Sequence, residues 1–277
     1  MGIILGLDVG TSTTKIVALN AQKEIILAGQ VCAEDQLTSL FGAIGKEFYS
    51  GGISMKDVDR VMLTGVGGSF LKGDIFGIPT SHVDEMRSIG EGGLFLSELD
   101  RAMIVSLGTG TTFVGAGPEG YVHAGGLALG GGTLTGLSSR LFGVRDFQTI
   151  LDMARRGDLR NVDKFMDEIS LDQVSMLPDY ATASNLGKMR YEALDEDVAL
   201  GIFNMIYQNV GVAAVFACRN MGTKDAVMIG SLASVDVVQL FLRQVAELYG
   251  MNFHMHEYAV YATAVGAAIS GFPGGDA

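Results

Sequence analysis

The chain has 277 residues, 48% of them hydrophobic, enough to bury a large core in one or two domains and too apolar for a disordered segment. A formal net charge of −12 excludes a general nucleic-acid or anionic-membrane surface. Glycine is frequent, 39 residues against 4 prolines, and it falls in clusters, which points to backbone in close contact with a ligand rather than to linkers. Cys32 and Cys218 stand far apart, without a CxxC pair or a Cys/His cluster, so each is expected as a reduced thiol outside any zinc or iron–sulfur site. No basic segment precedes an apolar one at the start, and the apolar stretch 210–218 is too short to span a bilayer. The cytoplasm is therefore the expected location.

Residues 3–8, 15–20 and 24–32 read as three strands joined by short turns, an antiparallel meander. A helix over 37–49 stops at Gly51 and Gly52, and a short strand over 60–64 is closed by Gly65. A brief strand at 82–83 and a helix over 85–99 follow. The pattern then restarts with a strand at 102–107, a Gly108-Thr109-Gly110-Thr111 turn, and strands at 112–115 and 121–123. This is a weak internal repeat of roughly a hundred residues.

The glycine-rich run 125–136 leads into a helix through Phe142. Short helices are expected at 147–156, 162–169 and 182–190, with a loop at 177–179. Continuous small and apolar residues over 198–221 predict a long buried helix. A strand at 226–229, a helix over 235–249, an edge strand at 253–256 and a helix over 262–270 complete the chain. Strands alternating with helices in two halves predict an α/β fold with mixed sheets flanked by helices.

The first hairpin turn carries the chemistry. Asp8 ends a strand, Gly10, Thr11, Ser12, Thr13 and Thr14 form the turn after Val9, and Lys15 opens the next strand. Glycine lets backbone approach a ligand, hydroxyls and free amides cradle an anion, Lys15 adds a point charge, and Asp8 can hold a divalent cation. An ordinary hairpin turn reads the same way in isolation. It is not a Walker A loop, because a strand follows it rather than GKS or GKT. A second turn of the same composition at a corresponding place suggests two hairpins gripping phosphates from opposite sides. Gly230 and Ser231, where a strand opens into a helix, suit an adenosine side. In the HVDEMR segment Asp84 and Glu85 begin a helix, as a general base or as simple compensation of the helix dipole.

These segments, together with AGGLALGGGTLTGL, DMARRGD and ATASNLGKM, occur in an order that resembles the type II, eukaryotic-like "Fumble" pantothenate kinases of the acetate kinase/sugar kinase/Hsp70/actin superfamily. The resemblance covers nearly the whole chain. It implies duplicated RNase H-like, actin-like ATPase domains, an N-terminal one over 1–100 and a C-terminal one over 101–277, with ATP and Mg²⁺ in the cleft. It implies that Asp8 to Lys15 and Gly108 to Thr111 hold phosphate and that Glu85 is the catalytic base. It further implies that Gly131, Gly132, Thr133, Leu134 and Thr135 line the nucleotide, that Phe147 lies near adenine, and that Gly230 and Ser231 bind adenosine.

The sequence departs from the family pattern in two places. The opening motif reads Asp8-Val9-Gly10-Thr11-Ser12 where the family has DxGGT, closer to sugar kinases, and His123 stands where family members carry an arginine that contacts pantothenate. A histidine offers a single ring donor in place of a charged fork. The expected activity is ATP-dependent phosphorylation of pantothenate, the first step toward coenzyme A. A homodimer is expected from the long helix and the resemblance. Rival readings are a kinase for another small hydroxyl compound such as a sugar, a non-catalytic nucleotide or CoA binder, and the ATPase activator of a radical dehydratase. The last needs cluster-ligating cysteines near a glycine turn, a setting that Cys32 and Cys218 lack.

Overall fold

The computed structural model describes residues 2–11, 13–32, 35–51, 53–169, 178 and 181–273. Three antiparallel strands, β1 (Ile3–Val9), β2 (Thr14–Leu19) and β3 (Ile25–Val31), lead into α1 (Gln36–Gly51), β4 (Val58–Thr64), β5 (Thr80–His82) and α2 (Glu85–Ser97). They form a five-stranded sheet in the order β3-β2-β1-β4-β5, with β4 parallel to β1 and β5 parallel to β4. A second meander follows, β6 (Ala102–Leu107), β7 (Thr111–Gly117) and β8 (Gly120–Leu127), then α3 (Gly131–Phe142) and α4 (Phe147–Ala154). A small pair, β9 (Lys164–Phe165) with β10 (Thr182–Ser184), precedes α5 (Asp195–Met221), β11 (Asp225–Ile229), α6 (Asp236–Tyr249), β12 (Asn252–Met255) and α7 (Ala262–Ser270). The second sheet runs β12-β11-β6-β7-β8, the same plan as the first: an antiparallel meander, then two parallel strands beside its first strand. The internal repeat is thus visible as repeated topology.

The two-residue period of the strands sorts side chains between faces. Leu5, Leu7 and Val9 of β1 pack outward under Leu40, Ala43 and Ile44 of α1. Met103, Val105 and Leu107 of β6 pack outward under the helices of the second half. The intervening residues, Ile4, Met62, Ala102 and Ile104 among them, share one inner core with Ile89 and Leu96 of α2 and with Ala264, Val265 and Ala268 of α7. Here the chain crosses over. The last helix, α7, lies on β1, β2 and β4 of the first sheet, whereas α2 leans on β6, β7, β8 and β11 of the second. The two helices meet almost backbone to backbone, since a Cβ at Gly92 would strike the Ala262 carbonyl and one at Gly266 the Ser88 carbonyl.

Two expected helices are absent. Residues 162–169 form β9 and a tight turn at Met166–Glu168, and 182–190 form β10 and a turn. A buried side chain overrides the local pattern: Asp163 accepts from Asn204 Nδ2 at 2.6 Å and from the Leu186 amide at 2.7 Å, tying both segments to α5. The expected loop at 177–179 lies largely outside the described residues, as does Gly52 of the expected helix stop. Helix α5 begins earlier than expected, with Asp195, Glu196 and Asp197 in its first turn, where acids offset the helix dipole. It is long and apolar enough to cross a bilayer, yet Ile202, Phe203, Ile206, Tyr207 and Val210 are fully buried in the core. Phe203, Tyr207 and Phe241 stack in series there, each burial worth about 1.5–3 kcal/mol.

Candidate active site

The same alternation that buries Leu5 and Leu7 outward turns Asp8 inward, onto the face shared with α2 and α7. Lys15 lies directly across the hairpin and its Nζ is 3.5 Å from the Asp8 carboxylate. Asp8 is 9% exposed, and burial pushes its carboxyl up against the opposing pull of Lys15. On the other flank Thr64 pairs with Asp8 across the parallel strands, and its buried hydroxyl has no hydrogen-bond partner among the described residues. Gly65 comes next at φ 85°, and a Cβ there would lie 2.7 Å from Asp8 Oδ1. A carboxylate and an orphaned hydroxyl side by side are hard oxygen donors. They suit a Mg²⁺ ion that takes its remaining ligands from water and phosphate.

The hairpin turn is closed by a bond from the Gly10 amide to the Thr13 carbonyl, and Thr13 Oγ1 lies 3.6 Å from Cys32 Sγ. Gly10 and Thr11 form the outer part of the turn, and Ser12 lies outside the described residues. Val9 and Thr14 turn the other way: Thr14 joins Ile16 and Ala18 on the outer face, fully buried. Only their backbone is on the site side.

Glu85 is the first residue of α2. Asp84 caps that helix, accepting from the Arg87 amide at 3.0 Å. Glu85 has no hydrogen-bond or ion-pair partner among the described residues. Glu85 is exposed to solvent along part of its side chain, but the protein packed around its carboxyl, and then the negative charges of Asp8 and Asp84, raise that carboxyl above its ordinary value. Asp84 thus takes the capping role that sequence left open between the two acids, and Glu85 stands electrostatically coupled to Asp8.

In the second half the turn Gly108 to Thr111 and the start of α3 are one unit. The Gly131 and Gly132 amides donate to the carbonyls of Gly108 and Thr109, both at 2.9 Å, and Thr111 Oγ1 donates to Leu129 O at 2.7 Å. The end of β11 joins them: the Leu232 amide donates to Leu107 O, and Gly230, at φ 94°, sits where any Cβ would strike that same carbonyl. Gly108, Thr109, Gly110, Thr111, Gly131, Gly132, Gly230 and Ser231 are therefore contiguous. Thr109 and Ser231 are exposed, whereas Thr133 and Thr135 turn their hydroxyls to Ala128 O and Gly131 O. Leu134 is fully buried, a core side chain. Phe147 opens α4 and packs edge-on against Phe203, their centroids 6.2 Å apart.

His123 lies exposed on the edge strand β8, opposite Val114. Val114 faces the inner core with α2, so His123 is on that face too. Two residues along the strand, Tyr121 sits opposite Ala116 on the same face, and its ring closes on α2 at Gly90. Sequence reasoning missed Thr64, which lies beside Asp8 through a parallel pairing that no local pattern reveals. Arg87 and Glu91, joined at 2.8 Å on the β8 side of α2, were also missed. Their i, i+4 spacing was the available signal.

The Fumble family model matches residues 97–270. Type II pantothenate kinases of Staphylococcus aureus strains MRSA252 and Mu50 are 26% identical over 233 residues, 79% of this chain and 85% of theirs. Among solved structures, the activator of the 2-hydroxyisocaproyl-CoA dehydratase from Clostridium difficile with bound ADPNP matches with a TM-score of 0.67 at 17% identity, over 96% of this chain and 93% of that one. A ROK family glucokinase from Streptomyces griseus in complex with glucose and AMPPNP has a TM-score of 0.64 at 12% identity, over 97% and 98%. Such likenesses establish fold, the duplicated actin-like ATPase architecture with two mixed sheets flanked by helices. The family model spans more than half of the sequence, from the end of α2 through α7, and the chain belongs to the Fumble family.

Proposed function

We propose that this protein is an ATP-dependent kinase that phosphorylates the primary hydroxyl of pantothenate, the first step toward coenzyme A. The observation that carries the reading is Glu85: an unpartnered carboxylate at a helix start, raised by burial and by Asp8, beside a hairpin suited to phosphate. The S. aureus relatives named type II pantothenate kinases support the acceptor, and the structures with ADPNP and AMPPNP support ATP. In this reading residues 1–100 carry the first phosphate loop and the base, and 101–277 carry the second loop and the adenosine site.

Phosphoryl transfer is mostly positioning and charge stabilisation. Glu85 accepts the proton of the acceptor hydroxyl as its oxygen bonds to the γ-phosphorus and the bond to ADP breaks. Lys15 and the backbone amides of the two turns neutralise the phosphate oxygens. Asp8, with Thr64 beside it, would hold Mg²⁺, which when bound supplies further neutralisation of the phosphate charge. A cytoplasmic location and a homodimer belong to the same reading. Phe216, 61% exposed on α5, is an apolar residue that a second copy would cover, and light scattering measures that state.

A coupled assay of ADP production tests the activity directly. Turnover is expected with pantothenate and Mg²⁺-ATP. Turnover only with sugars would redirect the acceptor, and ATP binding without turnover of any hydroxyl compound would favour a non-catalytic nucleotide binder.

A further inference from the structure

We infer that Arg87 is the residue that reads the acceptor's carboxylate, held for that task by Glu91. The inference rests on the kinase reading above and extends it to acceptor specificity. An acceptor with a carboxylate needs a cation on the wall of its site, and His123 supplies no permanent one. The face that His123 shares is built where α2 packs on β7 and β8. Arg87 is the single lysine or arginine among all their residues.

Its geometry is that of a held fork. The Arg87 Nε donates to Glu91 Oε1 at 2.8 Å, along one face of α2. The other carboxylate oxygen of Glu91 accepts from Ser270 Oγ of α7 at 2.8 Å, so Glu91 is fixed from two helices at once. Tyr121 closes the same face from β8, where its ring meets α2 at Gly90. Burial and the Glu91 charge raise its phenol, with Arg87 opposing, which puts all three groups in one another's electrostatic reach. The guanidinium keeps 28% of its side chain exposed, and its two Nη groups have no partner among the described residues. Those groups are the paired donors that match a carboxylate. Arg87 also shares the first turn of α2 with Glu85, two residues along, so the two side chains leave the helix in different directions and an acceptor held by both would have to wrap around that helix end. A contact that orients the acceptor there is fixed relative to the proton acceptor. Glu91 acts through Arg87 and is a positioning residue.

The test uses the full chain and two acceptors, pantothenate and its primary amide, in which the carboxylate is neutral. Wild-type protein is expected to favour pantothenate, and Arg87→Gln to raise its KM by about 10- to 100-fold, the usual worth of a lost charged hydrogen bond. The KM for the amide should stay within about twofold of wild type, with Arg87→Lys intermediate on pantothenate. Glu91→Gln should raise the pantothenate KM less than Arg87→Gln, with kcat nearly unchanged. Melting temperature and ATP affinity, measured on each variant, exclude a folding defect. If Arg87→Gln does not fold, the Arg87→Lys comparison decides. A pantothenate KM unchanged in Arg87→Gln overturns the assignment, as does an equal rise for both acceptors. Wild-type protein that turns over neither acceptor overturns the pantothenate kinase reading itself, a different result from an enzyme that is active but indifferent to position 87.

Discussion

The Asp84 carboxylate accepts from the Arg87 amide, whereas the Glu85 carboxylate beside it has no partner among the described residues. Glu85→Gln keeps the shape and removes the basicity, so ATP binding should persist while kcat falls by about 10²–10⁴. A calorimetric titration alongside single-turnover kinetics separates the two quantities. Wild-type turnover in this variant would reduce Glu85 to a helix-end acid. The raised carboxyl also has a pH consequence. A base must be deprotonated to act, so kcat/KM should fall on the acid side at a higher pH than an ordinary glutamate would set. Asp84→Asn keeps an N-cap side chain and removes one of the like charges that raise Glu85. The acid limb should therefore move to lower pH, and a limb that stays in place would mean another group sets it. The HVDEMR segment showed both acids at a helix start. Which one caps and which one is left could not be read there, because the division depends on the Asp84 side chain reaching an amide three residues on and on Asp8 arriving from another strand.

Elements were legible where their own periodicity determined them and illegible where a partner did. The strands β1 to β4, β6 and β7 and the helices α2, α6 and α7 fall close to their expected positions, since each has an apolar face or run that stands out locally. By contrast, β8 runs on to Leu127 and α3 starts at Gly131, both inside the run 125–136 where glycines hide the pattern. The segments around Asp163 do not, because a buried carboxylate bound to Asn204 and to the Leu186 amide decides their shape. The crossing of α2 and α7 is also invisible in sequence: Gly92 and Gly266 are 174 positions apart by their numbers, yet each leaves room for the other helix's backbone. Gly266→Ala should thus cost at least the roughly 1–3 kcal/mol typical of overpacking, despite alanine's better helix propensity. Gly45→Ala is the control. It lies within α1 with nothing within 4 Å of a new Cβ, and should be neutral or stabilising by about 0.5–1 kcal/mol. Denaturant midpoints for the two variants test the contrast, and equal midpoints would show that the crossing is loose.

At the scale of the whole molecule, the two hairpins occupy equivalent places in two sheets that share the core around α2 and α7. The repeat in sequence pointed to this duplication. That α7 returns from the end of the chain to the first sheet was not readable, because a helix of small residues carries no mark of which sheet it covers. A nucleotide held by both turns would tie the two sheets together, so binding should appear as stability of the entire chain. Any ligand that binds only the folded state adds about 2.7 kcal/mol when present at 100 times its dissociation constant. For a chain of 277 residues, at roughly 2.1 cal/mol/K of unfolding entropy per residue, each kcal/mol raises the melting temperature by about 2 °C, which gives an expected shift of about 5 °C with Mg²⁺-ATP at that concentration. Lys15→Ala removes the cation from the first turn and Thr109→Val a hydroxyl from the second, where Thr109 is exposed. Each substitution should shrink the shift at fixed ATP, although the residues belong to different sheets. If only one of them does, the nucleotide rests on a single half, and if wild-type protein shows no shift at any ATP concentration, neither turn is a phosphate site.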